Sequence, residues 1–194
     1  MAALISTVQI VARERFHLQK RVVFCFQPGE EGKQGARKLF NLRPSLMEAV
    51  NHCYALHFHN AIRPGQVKID PGPVTALSNR FTISIQGKSA HCLAPQAGVD
   101  ANYIGCTLVS QLYTLSAQTI APMEGSSLVV VKVEGGSSAI KVSDNFTIEG
   151  SLRTFSVKSY NNLKDKIESL ANKLCSAFGA TALVQFNEGT YLLA

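Results

Sequence analysis

Leu163, Ile167, Leu170, Leu174 and Phe178 recur at intervals of three and four between Tyr160 and Gly179, and this stripe constrains the fold more than any other feature. Such spacing predicts an amphipathic helix with one face in a core, closed by Gly179 in the left-handed conformation that ends many helices. A helix apolar on one face needs a layer to cover that face, and the neighbouring segments read as strands. Thr181 to Phe186 follows it directly, and Phe146 to Arg153 precedes it. Further upstream, Arg80 to Gln86 and Leu128 to Val133 read as strands on either side of a helix from Asp100 to Ser116. Val129, Val131 and Val133 alternate with Val130 and Lys132, the period of two that a strand requires. The resulting order, βαββαβ, is that of the split-βαβ or ferredoxin-like arrangement.

Before this region the chain has a different character. Met1 to Phe16 carries Leu4, Ile5, Val8, Ile10, Val11 and Phe16 in a broadly helical period, apolar on most sides, so burial is expected of it. Val22 to Phe26 and Cys53 to Phe58 read as short buried strands, and Glu31 to Asn41 as a helix between them. Pro64-Gly65 and Pro71-Gly72-Pro73 punctuate the link between the two regions. These signals place one domain at residues 1–75 and a second at 76–191. The fold class expected is α/β, with no internal repeats.

The 194 residues carry a net charge of +6, which on its own would permit nucleic-acid binding. The Lys and Arg residues are scattered, however, and Leu128 to Val133 lacks the aromatic side chains that RNA-binding sheets stack on bases. No run approaches the roughly 20 apolar residues of a membrane-spanning helix. No basic leader opens the chain. The five cysteines form no CxxC pair, and Cys25, Cys53 and Cys106 lie in apolar runs, as buried free thiols would in a reducing compartment. The expectation is a soluble cytoplasmic protein that uses neither nucleic acid nor membrane as a partner.

Two stretches carry chemistry. Gln27-Pro28-Gly29-Glu30-Glu31-Gly32 follows the expected strand Val22 to Phe26, at the kind of strand end where α/β sheets hold ligands. Adjacent carboxylates there repel unless a positive group compensates, and a metal ion would do so. They would equally suit the first turn of the next helix. His57 and His59 leave the second strand two residues apart, on one face of it, so that both or one of them would ligate. In the other domain, Gly87-Lys88-Ser89-Ala90-His91-Cys92 follows Arg80 to Gln86 and presents His91 on a loop.

Four blocks, Gln27 to Gly32, Ala55 to His59, Gly87 to Pro95 and Gly150-Ser151-Leu152-Arg153-Thr154-Phe155, resemble successive motifs of the aminoacylase-type metallopeptidases. This group includes N-acyl-amino-acid amidohydrolases, hippurate hydrolases and auxin-conjugate hydrolases. The resemblance implies a metallopeptidase-like catalytic α/β domain carrying an inserted ferredoxin-like lid through which two copies dimerise. It implies a divalent metal (zinc, manganese, cobalt or nickel), two ions in a complete enzyme, and hydrolysis of the amide bond of an N-acyl amino acid or peptide-like conjugate. Glu30 would be the general base toward the attacking water, and Glu31 and His57 metal ligands. His91 would stabilise the tetrahedral oxyanion, in this family usually across the dimer interface, and Arg153 would grip the substrate carboxylate. His59 receives no role.

The chain also departs from the pattern. The family's first metal block would precede Met1 and its last catalytic segment would follow Ala194, so the sequence reads as an internal portion of such an enzyme. Ile140-Lys141-Val142-Ser143-Asp144 stands where the family usually has Asn-Val-Ile-Pro-Asp, losing an asparagine that contacts substrate, and Gln96 replaces a common histidine. Glu31 and His57 are two ligands where a catalytic zinc has three from protein. These departures keep a second expectation open, a non-catalytic remnant that serves as a dimerisation or interaction module.

Overall fold

A computed structural model of the chain describes all residues except 15–17, 30–34, 49, 70, 122, 188 and 191–194. The chain divides into two compact units, Met1–Pro64 and Gly65–Ala194.

The second unit holds the core. Its strands are β1 (Leu77–Gln86), β2 (Ala90–His91), β3 (Ser126–Gly135), β4 (Lys141–Val142), β5 (Asn145–Thr154) and β6 (Thr181–Phe186). Its helices are α4 (Ala101–Thr119) and α5 (Val157–Ala177), numbered after three in the first unit: α1 (Ala2–Arg13), α2 (Gly35–Leu42) and α3 (Pro44–Glu48). The four long strands form one antiparallel sheet in the order β3-β5-β1-β6. That order and the βαββαβ succession are the ferredoxin-like arrangement expected from the sequence.

Alternation puts Phe81, Ile83 and Ile85 of β1 and Phe146, Ile148 and Leu152 of β5 on one face, buried. Ile104, Leu108 and Leu112 of α4 and Leu163, Ile167, Ala171 and Cys175 of α5 complete this core. Glycine at 150 is dictated by packing, because a Cβ there would stand 2.2 Å from Cζ of the Phe81 ring.

Local chemistry fixes the helix ends. The Asp100 carboxylate accepts from the N–H groups of Asn102 and Tyr103, and the Ser156 hydroxyl from that of Ser159. At the other end of α5, Gly179 has φ +77°, while the N–H groups of Gly179 and Ala180 bond the carbonyls of Ser176 and Cys175. This pair of bonds is the Schellman closure that the glycine at 179 signals.

The first unit is organised differently. Neither Val22–Phe26 nor Cys53–Phe58 forms a strand, a correction to the sequence expectation. A strand exists by sharing ladder hydrogen bonds, and among the described residues neither segment has a partner. Their side chains are correspondingly open, with Tyr54 91% and Phe58 89% exposed. Helix α1 forms, yet none of its residues is buried. Cys25, Cys53 and Cys106 are exposed, not buried as expected, and Cys175 is the buried thiol. Cys25 and Cys53 sit in the two segments that lack a ladder, and Cys106 on the outer side of α4. The start expected for the helix at Glu31 lies outside the described residues. Among the described residues of this unit only Gly35 is buried, with Pro28 against it so closely that a Cβ would fall 1.5 Å from the Pro28 carbonyl oxygen.

Candidate functional site

His91 is delivered by a loop stitched on both sides. The chain leaves β1 at Gly87, whose N–H bonds the Asp144 carbonyl at 2.8 Å and whose missing Cβ would meet the Val99 carbonyl oxygen at 2.3 Å. Lys88 and Val99 then exchange two backbone bonds of 3.0 and 2.8 Å. On the far side, β2 pairs with β4, His91 opposite Lys141, and the Cys92 N–H continues the ladder to the Ile140 carbonyl. Ser143 anchors β4 in turn. It is buried, its Oγ donates to the Asn145 carbonyl at 2.7 Å and accepts from the Gly136 N–H at 3.1 Å, and its carbonyl accepts from Ala101 at the start of α4. The sequence marked Ser143 only as a departure. Its role depends on Gly136, seven positions away across a loop, and no local pattern announces that contact.

The His91 ring is exposed, and its Nδ1 accepts from the N–H of Leu93 at 3.2 Å. The thiol of Cys92 lies 3.9 Å from the same nitrogen. The Ala94 N–H bonds the His91 carbonyl at 2.9 Å, closing a turn beneath the ring.

Arg153 lies at the other end of the sheet. It stands on β5 between Ser78 of β1 and Ser127 of β3, exposed, on the face away from the helices. His91 follows Gln86, eight residues along β1 from Ser78, a distance of about 27 Å at the strand rise. One lid therefore does not bring its histidine and its arginine together. Beyond Arg153 a cavity of about 350 Å³ is lined by Pro73, Met123, Glu124, Gly125, Phe155, Ser156 and Ser159.

In the first unit, Glu30 and Glu31 lie outside the described residues. His57 and His59 are exposed, and each ring engages the main chain. Nδ1 of His57 is 2.6 Å from the Phe58 carbonyl oxygen, and Nδ1 of His59 accepts from the Ala61 N–H at 3.3 Å. Without a strand here, the shared face expected for the two rings does not arise. A carbonyl only accepts, so His57 must donate through Nδ1, and its Nε2 lone pair is left for a metal. The donor chemistry of His57 thus fits a divalent ion. Among the described residues no three His, Cys, Asp or Glu side chains cluster as a ligand set.

One edge of the sheet is β3, where Val129, Val131 and Val133 are 43%, 66% and 50% exposed. A register shift between Val130 and Lys132 leaves Val131 as an extra residue in the edge. Lys132 reaches Glu134 at 2.8 Å and Glu149 at 3.5 Å. The hydrogen bond to Glu134 holds the lysine above its usual range, and the same bond holds the Glu134 carboxyl below its own.

Comparison with known proteins fits this architecture. Residues 78–178 match the family model described as the peptidase dimerisation domain of the M20 peptidases. Over 95% of its length the chain is 32% identical to the IAA-amino acid hydrolase ILR1-like 4 of Arabidopsis thaliana, and over 97% it is 29% identical to an N-acetyl-L-cysteine deacetylase of Bacillus subtilis. It spans 42% and 45% of those relatives' own lengths. The crystal structure of a dinuclear metal-binding peptidase of the M20 family from Bacillus subtilis superposes with a TM-score of 0.79 at 23% identity, over 99% of this chain and 48% of that one, which shows a shared fold. With more than half of its residues inside the matched span, the chain belongs to the M20 peptidase family and carries that family's dimerisation domain.

Proposed function

We propose that this chain is part of a metal-dependent amidohydrolase that cleaves the amide bond between an acyl group and an amino acid. The observation that carries it is the match to the M20 dimerisation domain, with His91 on the stitched loop of that lid. The names of the two relatives, a hydrolase of IAA-amino acids and a deacetylase of N-acetyl-L-cysteine, both describe acylated amino acids. In the mature assembly residues 1–75 serve as the catalytic part and 76–191 as the lid, a division supported by the start of β1 at Leu77.

Glu31 and His57 hold a divalent ion (zinc, manganese, cobalt or nickel), one of two in the complete enzyme. When bound, such an ion polarises the scissile carbonyl and makes water a stronger acid. Glu30 takes the proton of the attacking water and passes it to the amide nitrogen, which leaves as the amine when its bond to carbon breaks. The imidazole of His91 donates a hydrogen bond to the oxyanion formed on the carbonyl oxygen. Arg153 receives the amino-acid carboxylate in its guanidinium fork.

The separation of His91 and Arg153 along one sheet supports a homodimer. Pairing two copies antiparallel along β3 turns the partner's sheet by half a revolution in its plane. That operation carries the partner's histidine end to the side where this chain's Arg153 lies, so each site takes its arginine from one lid and its histidine from the other. The exposed valines of β3 supply an apolar edge for the pairing.

A non-catalytic dimerisation module is the second reading, favoured by Ile140 and Ser143 within the block where the family usually carries a substrate-contacting asparagine and a proline. A cytoplasmic location is supported by the five free cysteines. Among the described residues no helix is long and apolar enough to cross a membrane.

Metal content separates the two. After dialysis against metal-free buffer, plasma mass spectrometry of the purified chain should find one or two equivalents of a divalent ion, lost in Glu31→Ala and His57→Ala. A chain that retains no metal would overturn the enzymatic role and leave the module.

A further inference from the structure

Three histidines of this chain bond the main chain through the same ring atom and in opposite senses. Nδ1 of His57 faces the Phe58 carbonyl oxygen at 2.6 Å. Nδ1 of His59 faces the Ala61 N–H at 3.3 Å, and Nδ1 of His91 faces the Leu93 N–H at 3.2 Å. A carbonyl oxygen has no proton to give and a backbone N–H has no lone pair to offer, so each contact is satisfied by one neutral tautomer only. His57 must carry its proton on Nδ1, which exposes a lone pair on Nε2. His59 and His91 must carry theirs on Nε2, which exposes a donor.

We propose that the main chain assigns these tautomers and thereby the chemistry of each ring: His57 is the lone-pair donor to a cation, His59 is barred from that role, and His91 is a neutral Nε2–H hydrogen-bond donor. The proposal rests, for its functional side, on the reading that His57 meets metal and His91 meets an oxyanion.

The three segments support it by their construction. The Phe58 carbonyl and the Ala61 N–H flank His59, and the Ile62 N–H bonds the His59 carbonyl at 3.0 Å, so the turn that captures the His59 ring is itself closed by hydrogen bonding. His57 and His59 stand two apart in sequence, and both are exposed to solvent. What distinguishes them is the main-chain group at Nδ1, since a ligating imidazole uses one nitrogen and passes its remaining proton to an acceptor. His57 has that acceptor and His59 has a donor in its place.

At His91 the turn is likewise closed, by the Ala94 N–H on the His91 carbonyl. The second group near Nδ1, the Cys92 thiol at 3.9 Å, is also a donor in its neutral form. Both neighbours therefore favour the same tautomer. The ring is exposed, and with its proton on Nε2 it is the form that donates a hydrogen bond to a developing negative charge.

The test is a two-bond 1H–15N correlation spectrum of the full chain labelled with 15N-histidine, at a pH where the rings are neutral, with His57→Gln, His59→Gln and His91→Gln used for assignment. The unprotonated nitrogen resonates downfield, so Nε2 should be the downfield nitrogen of His57, and Nδ1 that of His59 and His91, each form populated about fivefold or more over the other. Zinc ion is then titrated. Movement of the His57 Nε2 resonance with His59 unmoved supports the proposal in full. Expected tautomers with no ring responding to zinc support the main-chain assignment and defeat the metal reading on which its functional side rests. A proton on Nε2 of His57, a proton on Nδ1 of His91, or a zinc response from His59 equal to that of His57 overturns it.

Discussion

Val22–Phe26 and Phe81–Ile85 are both runs rich in β-branched and aromatic residues, yet one is an open segment and the other lies in a central strand. The difference lies in their neighbours. β1 is flanked by β5 and β6 and covered by α4 and α5, so its inward side chains meet a wall and its backbone from Phe81 to Gln86 is paired on both sides. Val22–Phe26 has neither among the described residues. The same holds for helices. α5 buries five residues against the sheet, whereas α1, more apolar throughout, buries none. Apolar composition supplies the tendency to be buried, and closure around a second layer decides whether burial happens.

The cysteines measure this contrast most directly, and with the largest expected effect. Cys175 is buried in the lid core, where burial pushes its thiol above the ordinary value, while Cys25, Cys53, Cys92 and Cys106 are exposed. Desolvation disfavours the thiolate, and alkylation requires the thiolate. Labelling of Cys175 should need the lid to open, which at an ordinary domain stability of about 5 kcal/mol slows it by on the order of 10³-fold or more. Mass spectrometry after brief iodoacetamide treatment should show four labels and an unmodified Cys175. Equal labelling of Cys25 and Cys175 would mean that the two regions are equally open.

Mutation of the core sharpens the same comparison. The Phe81 ring is buried over Gly150, packs 6.1 Å from Phe186 centroid to centroid, and has no counterpart among the described residues of the first unit. Phe81→Ala removes that ring from the buried core, at a cost of about 3–5 kcal/mol. The stability of the lid, followed through hydrogen exchange of β1 and β5, should fall by that amount. A loss under about 1 kcal/mol would show that the ring is not central to the core.

How much of this was legible from the sequence divides along the same line. Every long strand and helix of the lid was readable, because Leu163 to Phe178 and Phe81 to Ile85 carry their periods locally and their partners lie within the lid. Gly179 announced its own role, since a left-handed closure is a property of one residue. Ser143 was not legible as an anchor, because its contact with Gly136 exists only once β3, β4 and β5 are in place. The bulge at Val131 was hidden for a related reason, the alternation of valines being uninterrupted in the sequence while the register against β5 shifts. In the first unit the apolar runs were visible and their strand state was not, because a ladder is a relation between segments. The ring contacts of His57 and His59 were similarly out of reach, being set by the local path of a segment without regular structure.

The smallest expected effect tests the comparison from its other side. Ile10 stands in α1 with 48% of its surface exposed, and its helix contributes no residue to a core. If burial rather than composition confers stability, Ile10→Ser removes a side chain that is already about half in water and belongs to no core. The remaining cost is the modest difference in helix propensity between two residues that rank close together. The change expected in the stability of the chain is within about 0.5 kcal/mol of zero, as for other surface substitutions, against the several kcal/mol of Phe81→Ala. Chemical denaturation followed by circular dichroism reads both variants on one scale. A loss of more than about 1.5 kcal/mol for Ile10→Ser would place that side chain in a core of its own and remove the contrast between the two units; a value near zero leaves the lid as the part of the chain whose apolar residues hold the fold together.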